Sequence, residues 1–336
     1  MRFGIPLFGG MLFFLSCQQN TDKKAIDPLT VMSKPDSALA VLDQRIEANP
    51  RDPVLFHERA KVYLAKKDLA AAFTDMKTAL DMDSTKAEFF LTLADLYLIS
   101  GKSGNSKASL EKSISLDPAN SAAKLKLAEL FMLVRKYDQA MKYLDDVLRS
   151  DVHNAKAYFI KGMCFKELGD TSKAVSSFRT AIDQNTDYYE AFMQLGVLMT
   201  LKHEKIALQY FNSALALRPQ SVEAYYGRSM FYQETGDFNK AIEGYTMLTT
   251  VDPKNKNAHF NLGYIHQEYL KVYDEALKHY TRAIAADSAY FEAWYNRGLC
   301  YESLGNIQAA KSDFQKAAAI NPEYTPAKGG LSRLGQ

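Results

Sequence analysis

Six histidines and three cysteines are the side chains best suited to metal binding or nucleophilic chemistry. The histidines are His57, His153, His203, His259, His266 and His279. His259 and His266 are seven apart and share one stripe of a helix. A zinc site would need a carboxylate or cysteine at ligand spacing beside them, and none stands there. The sequence holds no glycine-rich phosphate loop, no G-x-S-x-G elbow and no H-E-x-x-H pair. Its serines and aspartates fall at turns and helix starts, where capping explains them. The net charge is +2 with acids and bases interspersed, so the concentrated basic patch that neutralises phosphates is missing. The expectation is a non-enzyme with no metal, no cofactor and no nucleic-acid partner.

Most of the chain is a pattern of short amphipathic helices. The stretch Glu292–Pro322 shows it in full: Trp294, Gly298 and Tyr301, a turn at Gly305, then Ala310, Phe314, Ala317 and Pro322. Trp294 and Tyr301 lie on one face of a first helix, two turns apart. Gly298 and Ala310 let two backbones approach, and Pro322 stops the second helix. The small residue recurs at Ala60, Ala94, Ala128, Gly162, Gly196, Ser229, Gly263 and Gly298, at intervals of 34, 34, 34, 34, 33, 34 and 35 residues. The alanine position of the second helix keeps step, and the large position four later reads Met76, Leu110, Leu144, Phe178, Phe211, Tyr245, Tyr280 and Phe314. One residue is lost near Thr200–Glu204 and one is gained near Tyr269–Tyr273. Both are expected in the turn between helices, where length changes are tolerated.

This pattern resembles the tetratricopeptide repeat (TPR), a pair of helices with a period of ~34 residues. A single pair cannot bury its own apolar face, so copies must stack. The fold expected is all-α, a right-handed superhelical solenoid of antiparallel helix pairs. Eight repeats occupy residues 53–324. Residues 28–52, with Ala38, Leu42 and Pro50 at second-helix positions, read as a half-repeat cap. Residues 325–336 read as a closing helix that brings Leu331 and Leu334 onto the last repeat. Cys164 and Cys300 are expected to be small core residues, four repeats apart and too distant to bridge.

Residues 1–16 carry Arg2 and then an apolar run too short to span a bilayer. They fit a secretory signal peptide. The run ends at Ser16-Cys17, and residues 17–27 turn polar at once. That junction resembles a bacterial lipobox, with Phe14 and Leu15 departing from its preferred residues. The resemblance implies that Cys17 is lipid-modified and that residues 17–27 form a tether. It places the protein with bacterial TPR lipoproteins, held to the cell envelope by the anchor alone. Gln18 after the cysteine favours the outer membrane under the enterobacterial sorting rule.

In the TPR family the first helices line a concave groove. The groove positions that the resemblance implies are those directly after the first motif aromatic and directly after the small residue. In repeats four to eight they are Phe159, Met193, Tyr226, Phe260 and Tyr295, and then Met163, Val197, Met230, Tyr264 and Leu299. All ten are apolar or aromatic, whereas the family often has asparagine in the second set. Contiguous apolar surface marks a binding site, although packing between neighbouring repeats would use the same residues. The lysine and asparagine set that grips a C-terminal carboxylate is missing: Lys61 stands alone, and Glu167, Glu234 and Glu268 lie at the far ends of first helices. The partner expected is a protein or peptide segment that is apolar with some basic residues. Two functions follow from the resemblance. One is an envelope-anchored scaffold for assembly of a complex; the other is an accessory subunit of an envelope enzyme that modifies glycan or peptidoglycan.

Overall fold

A computed structural model describes residues 35–335. The expected signal peptide, Cys17, the expected tether and the first residues (28–34) of the expected half-repeat cap lie outside them. Every described element is helical. The chain forms two compact units, one ending at Pro118 and the other beginning at Ala119. The first unit holds α1 (Pro35–Ala48), α2 (Pro53–Ala65), α3 (Leu69–Met82), α4 (Ala87–Ile99) and α5 (Ser103–Leu116). In α1, Ala38 and Leu42 are buried. The second unit opens with α6 (Ser121–Leu133), α7 (Tyr137–Ser150), α8 (Ala155–Glu167), α9 (Thr171–Gln184), α10 (Tyr189–Leu201) and α11 (Ala207–Leu217). It continues with α12 (Val222–Glu234), α13 (Phe238–Val251), α14 (Lys256–Tyr264), a π-helical turn (Ile265–Leu270) and α15 (Tyr273–Ala286). It closes with α16 (Phe291–Ser303), α17 (Ile307–Ile320) and α18 (Thr325–Arg333).

Each repeat is one antiparallel pair, from α2 with α3 to α16 with α17. The starts are capped locally: the side chains of Asp52, Asp68, Asn120, Asn154, Asp170, Ser221, Asp237, Asn255 and Asn306 each accept a backbone N–H of the first turn. Such a cap contributes about 1 kcal/mol. The turn between the two helices of a pair reverses through one residue at positive φ. It is Gly101, Gly169, Gly236 or Gly305 in four repeats and Lys67, Arg135, His203 or Lys271 in the others.

That turn residue shows where the two length changes went. It lies seven residues after the small motif residue everywhere except repeat seven, where Lys271 lies eight after Gly263. The extra residue is therefore inside the first helix, absorbed as the π-helical turn, and not in the inter-helix turn as expected. The turn keeps its hydrogen bonds, with Val272 N–H on His266 O at 2.9 Å. One wider helical turn takes up a residue without disturbing the entry to α15. The missing residue of repeat five does fall at the turn, between His203 and Ala207, and α11 begins at its motif alanine.

The core runs along the facing sides of the helix pairs. The large second-helix residues Met76, Leu110, Leu144, Phe178, Phe211, Tyr245, Tyr280 and Phe314 are at most 2% exposed. Each such side chain contributes roughly 1.5–3 kcal/mol through burial. In four of the five repeats with a ring at this position the small residue opposite is glycine, and in repeat six it is Ser229 opposite Tyr245. A Cβ on Gly162, Gly196, Gly263 or Gly298 would come within 2.6, 2.7, 2.9 or 2.7 Å of the Phe178, Phe211, Tyr280 or Phe314 ring. Where the large residue is Met76, Leu110 or Leu144, the small one is alanine. The two buried tyrosines are satisfied: Tyr245 donates to Gln233 Oε1 at 3.1 Å, and Tyr280 to Gln267 Oε1 at 2.7 Å. At the end, α18 lays Gly330 and Leu331 against Phe314.

Candidate functional site

The first helices of repeats four to eight, α8, α10, α12, α14 and α16, carry the ten candidate groove residues. Those after the first motif aromatic pack at the joints between helices. Phe159 lies 5.5 Å from the Phe178 ring and 5.0 Å from Tyr188, which precedes the next repeat. Phe260 makes the same pair of contacts with Tyr280 and Tyr290, at 5.6 and 5.0 Å. Tyr295 repeats them with Phe314 and Tyr324, at 5.6 and 5.3 Å. Tyr226 rests edge-on against Tyr245 at 5.8 Å, and its hydroxyl accepts from Asn261 Nδ2 at 3.3 Å. Phe159 and Met193 are only 7% and 5% exposed. These two belong to the core and are withdrawn from the groove, because packing leaves almost none of either side chain at the surface.

The positions after the small residue differ. Met163, Val197, Met230, Tyr264 and Leu299 are all half-buried, each keeping part of its side chain at the surface. Tyr264 stands edge-on to Tyr269 at 5.9 Å, and Tyr269 in turn stacks on Phe238 at 3.9 Å. The π-helical turn is what brings Tyr269 there. Glu167, Glu234 and Glu268 are exposed on the same helices and the turn. Glu268 pairs loosely with Lys271 at 3.7 Å. Methionine and tyrosine give adaptable or anchoring contact area.

The residues suited to chemistry are placed as packing groups. Cys164 and Cys300 are buried and free. Burial pushes their thiols up to about 11 and about 12, so neither is a ready nucleophile. His57 is buried against Phe89, with rings 4.7 Å apart, and its Nε2 meets Thr92 Oγ1 at 2.8 Å. His259 and His266 do share a stripe, and α15 places His279 between them, at 5.8 and 5.6 Å. Sequence reasoning missed His279, which sits on the partner helix thirteen residues past His266; its one signal is its register position, three residues after the motif alanine, as for Asp75 and Asp313. Among the described residues, no group of three His, Cys, Asp or Glu could hold a metal ion. No described helix is long and apolar enough to cross a membrane.

Family models described as tetratricopeptide repeat or TPR repeat match residues 98–159, 155–188, 222–255, 270–305 and 291–324, together more than half of the chain. The chain belongs to the tetratricopeptide repeat proteins, a class of helical scaffolds that mediate protein interactions. It is 27% identical over 211 residues to DnaJ homolog subfamily C member 7 of Homo sapiens, a match covering 62% of this chain and 38% of that protein. The chain thus spans about two-fifths of the length of that relative. Among solved structures, it is similar to a tetratricopeptide repeat protein from Parabacteroides merdae, 18% identical with a TM-score of 0.51, covering 74% of this chain and 99% of that one. It is also similar to PilW, a type IV pilus biogenesis factor, 22% identical with a TM-score of 0.53, covering 63% of this chain and 98% of that one. Both structural likenesses establish the fold.

Proposed function

We propose that the protein is a non-catalytic scaffold that binds an apolar protein segment with some basic residues along repeats four to eight. The observation that carries this is the run of half-buried Met163, Val197, Met230, Tyr264 and Leu299, one per successive first helix. Tyr226, Phe260, Tyr295 and their ring contacts set the floor on which that row stands. Glu167, Glu234 and Glu268 supply the negative charge that basic residues of the partner would meet. In the same proposal Cys17 is the lipid attachment point, and the scaffold serves assembly of a complex at the cell envelope, with the outer membrane favoured.

The test is a pull-down from detergent-solubilised envelope with wild type and with Met230→Glu/Tyr264→Glu. A charge at each of two row positions should abolish capture while leaving the helical circular-dichroism signal intact. Equal recovery by both proteins would remove the row from the binding site. The anchor is checked in the same fractionation: Cys17→Ser should move the protein out of the membrane pellet, and continued sedimentation with membranes would refute lipidation.

A further inference from the structure

The two motif positions that flank the small residue on each first helix are mostly aromatic, and what fills the slot between them varies. In repeat one Arg59 fills it, 5.6 Å from the Phe56 ring and 6.0 Å from Tyr63. In repeat eight Arg297 lies 4.8 Å from Trp294 and 5.9 Å from Tyr301. Each guanidinium is held by a buried second-helix aspartate: Arg59 donates to Asp75 at 2.8 and 2.7 Å, and Arg297 to Asp313 at 2.8 and 2.9 Å. In repeats three and five the aspartate position holds Tyr143 or Tyr210, whose ring lies against Phe131 or Phe192. Repeat seven is unlike all of these. Leu262 replaces the arginine, His279 replaces the aspartate, and both motif aromatics are histidine.

The three imidazoles form one stack, with interplanar angles of 30° and 11°. The Nδ1 atoms of all three are buried without a hydrogen-bond partner. His259 Nε2 meets the carbonyl oxygen of Pro253 at 3.0 Å. A carbonyl only accepts, so that nitrogen carries the hydrogen and Nδ1 is a bare lone pair. A second proton on the ring would create a buried donor facing nothing, beside two like rings. The cost is that of an unsatisfied buried polar group and of like charges in contact.

We propose that the stack of His259, His279 and His266 is an acid-sensitive joint, in which proton uptake loosens the α14–α15 pair and its π-helical turn. Burial, then the charges of His266, His259 and Arg282, hold His279 down to about 4, with Glu275 opposing. Burial also lowers His259, where Arg282 adds to the effect and Asp252 and the Pro253 carbonyl oppose it. His266 is lowered by burial, again against Glu275. The charged groups acting on the stack are thus Asp252 after α13 and Glu275 and Arg282 on α15. Glu275 is engaged by Lys278 at 2.6 Å. Because the folded values lie below the ordinary 6.5, the stabilisation is whole above that pH and is lost as pH falls toward about 4. The joint operates whether or not the groove has an occupant.

The experiment is amide hydrogen exchange of the full chain at about pH 7.5 and about pH 5, corrected for intrinsic rates, comparing Lys256–Ala286 with Phe291–Ile320. On acidification, protection of the first segment should fall at least about tenfold more than that of the second. The substitution His279→Tyr, a residue this fold already holds at the same position in repeats three and five, should reduce the excess. An equal change in both segments, or an excess as large in H279Y as in the wild type, overturns the joint. Should H279Y fail to fold, an NMR titration of the wild-type imidazole signals decides. Depressed midpoints for His259, His266 and His279 sustain the proposal, and midpoints at the ordinary value overturn it.

Discussion

Repeat eight holds an arginine between Trp294 and Tyr301, whereas repeat seven holds a histidine between His259 and His266. The two share the glycine-over-ring contact of their helix pairs, and repeat seven adds the π-helical turn. They differ in what closes the slot. In repeat eight a bidentate ion pair joins α16 to α17, and Arg297 Nη1 reaches Thr281 Oγ1 at 3.1 Å, so each guanidinium nitrogen meets an acceptor. In repeat seven three rings meet by stacking and leave three nitrogens without partners. Repeat six lies between these cases: Arg228 reaches Asn212 at 2.8 Å, but Gly244 stands where the aspartate would be, and the arginine Nε is orphaned. The same slot can therefore be a lock or a weak point, according to two or three side chains. The guanidinium of the lock stays charged, whereas the stack depends on staying neutral.

The largest effect should come from breaking the lock. Asp313→Ala leaves the Arg297 side chain, 15% exposed, without its counter-charge. Removing one partner of a buried pair costs roughly 3–5 kcal/mol, and denaturant unfolding should show it. A loss below about 1 kcal/mol would mean that the pair behaves like a surface salt bridge. A smaller effect tests what the two repeats have in common. Gly298→Ala puts a Cβ 2.7 Å from the Phe314 ring and should cost about 1–3 kcal/mol by overpacking. Adding Phe314→Leu recreates the alanine–leucine pairing of Ala94 with Leu110 and should reduce the penalty of the alanine. If Gly298→Ala costs as much in the Phe314→Leu background as in the wild type, ring size does not explain the glycine.

Much of the fold was legible in the chain itself. The 34-residue register, the helix pairs and the identity of the core positions follow from side-chain type and spacing, because helical periodicity places them on one face. The pairing of glycine (serine at Ser229) with an aromatic and of alanine with leucine or methionine was also written in the register. The two residues stand sixteen apart in every repeat except five and seven, where the length changes make it fifteen and seventeen. The extra residue of repeat seven was countable but not placeable. A count of residues between motifs cannot separate a longer turn from a wider helical turn, and only the hydrogen bonds around Lys271 do so. Among the candidate groove residues, spacing could not separate Phe159 and Met193 from Met163 and Val197. All four are apolar and lie on α8 and α10, and the packed structure buries one pair more than the other.

By itself the sequence determined that eight helix pairs form and that each needs a small residue opposite a large one. Periodic burial is local physics, repeated every ~34 residues. Tertiary structure alone decided which polar groups meet. Arg297 with Asp313, and His279 with His259 and His266, are contacts between helices. Whether such a meeting forms a satisfied ion pair or an unsatisfied stack depends on distances and angles that no one-dimensional spacing contains.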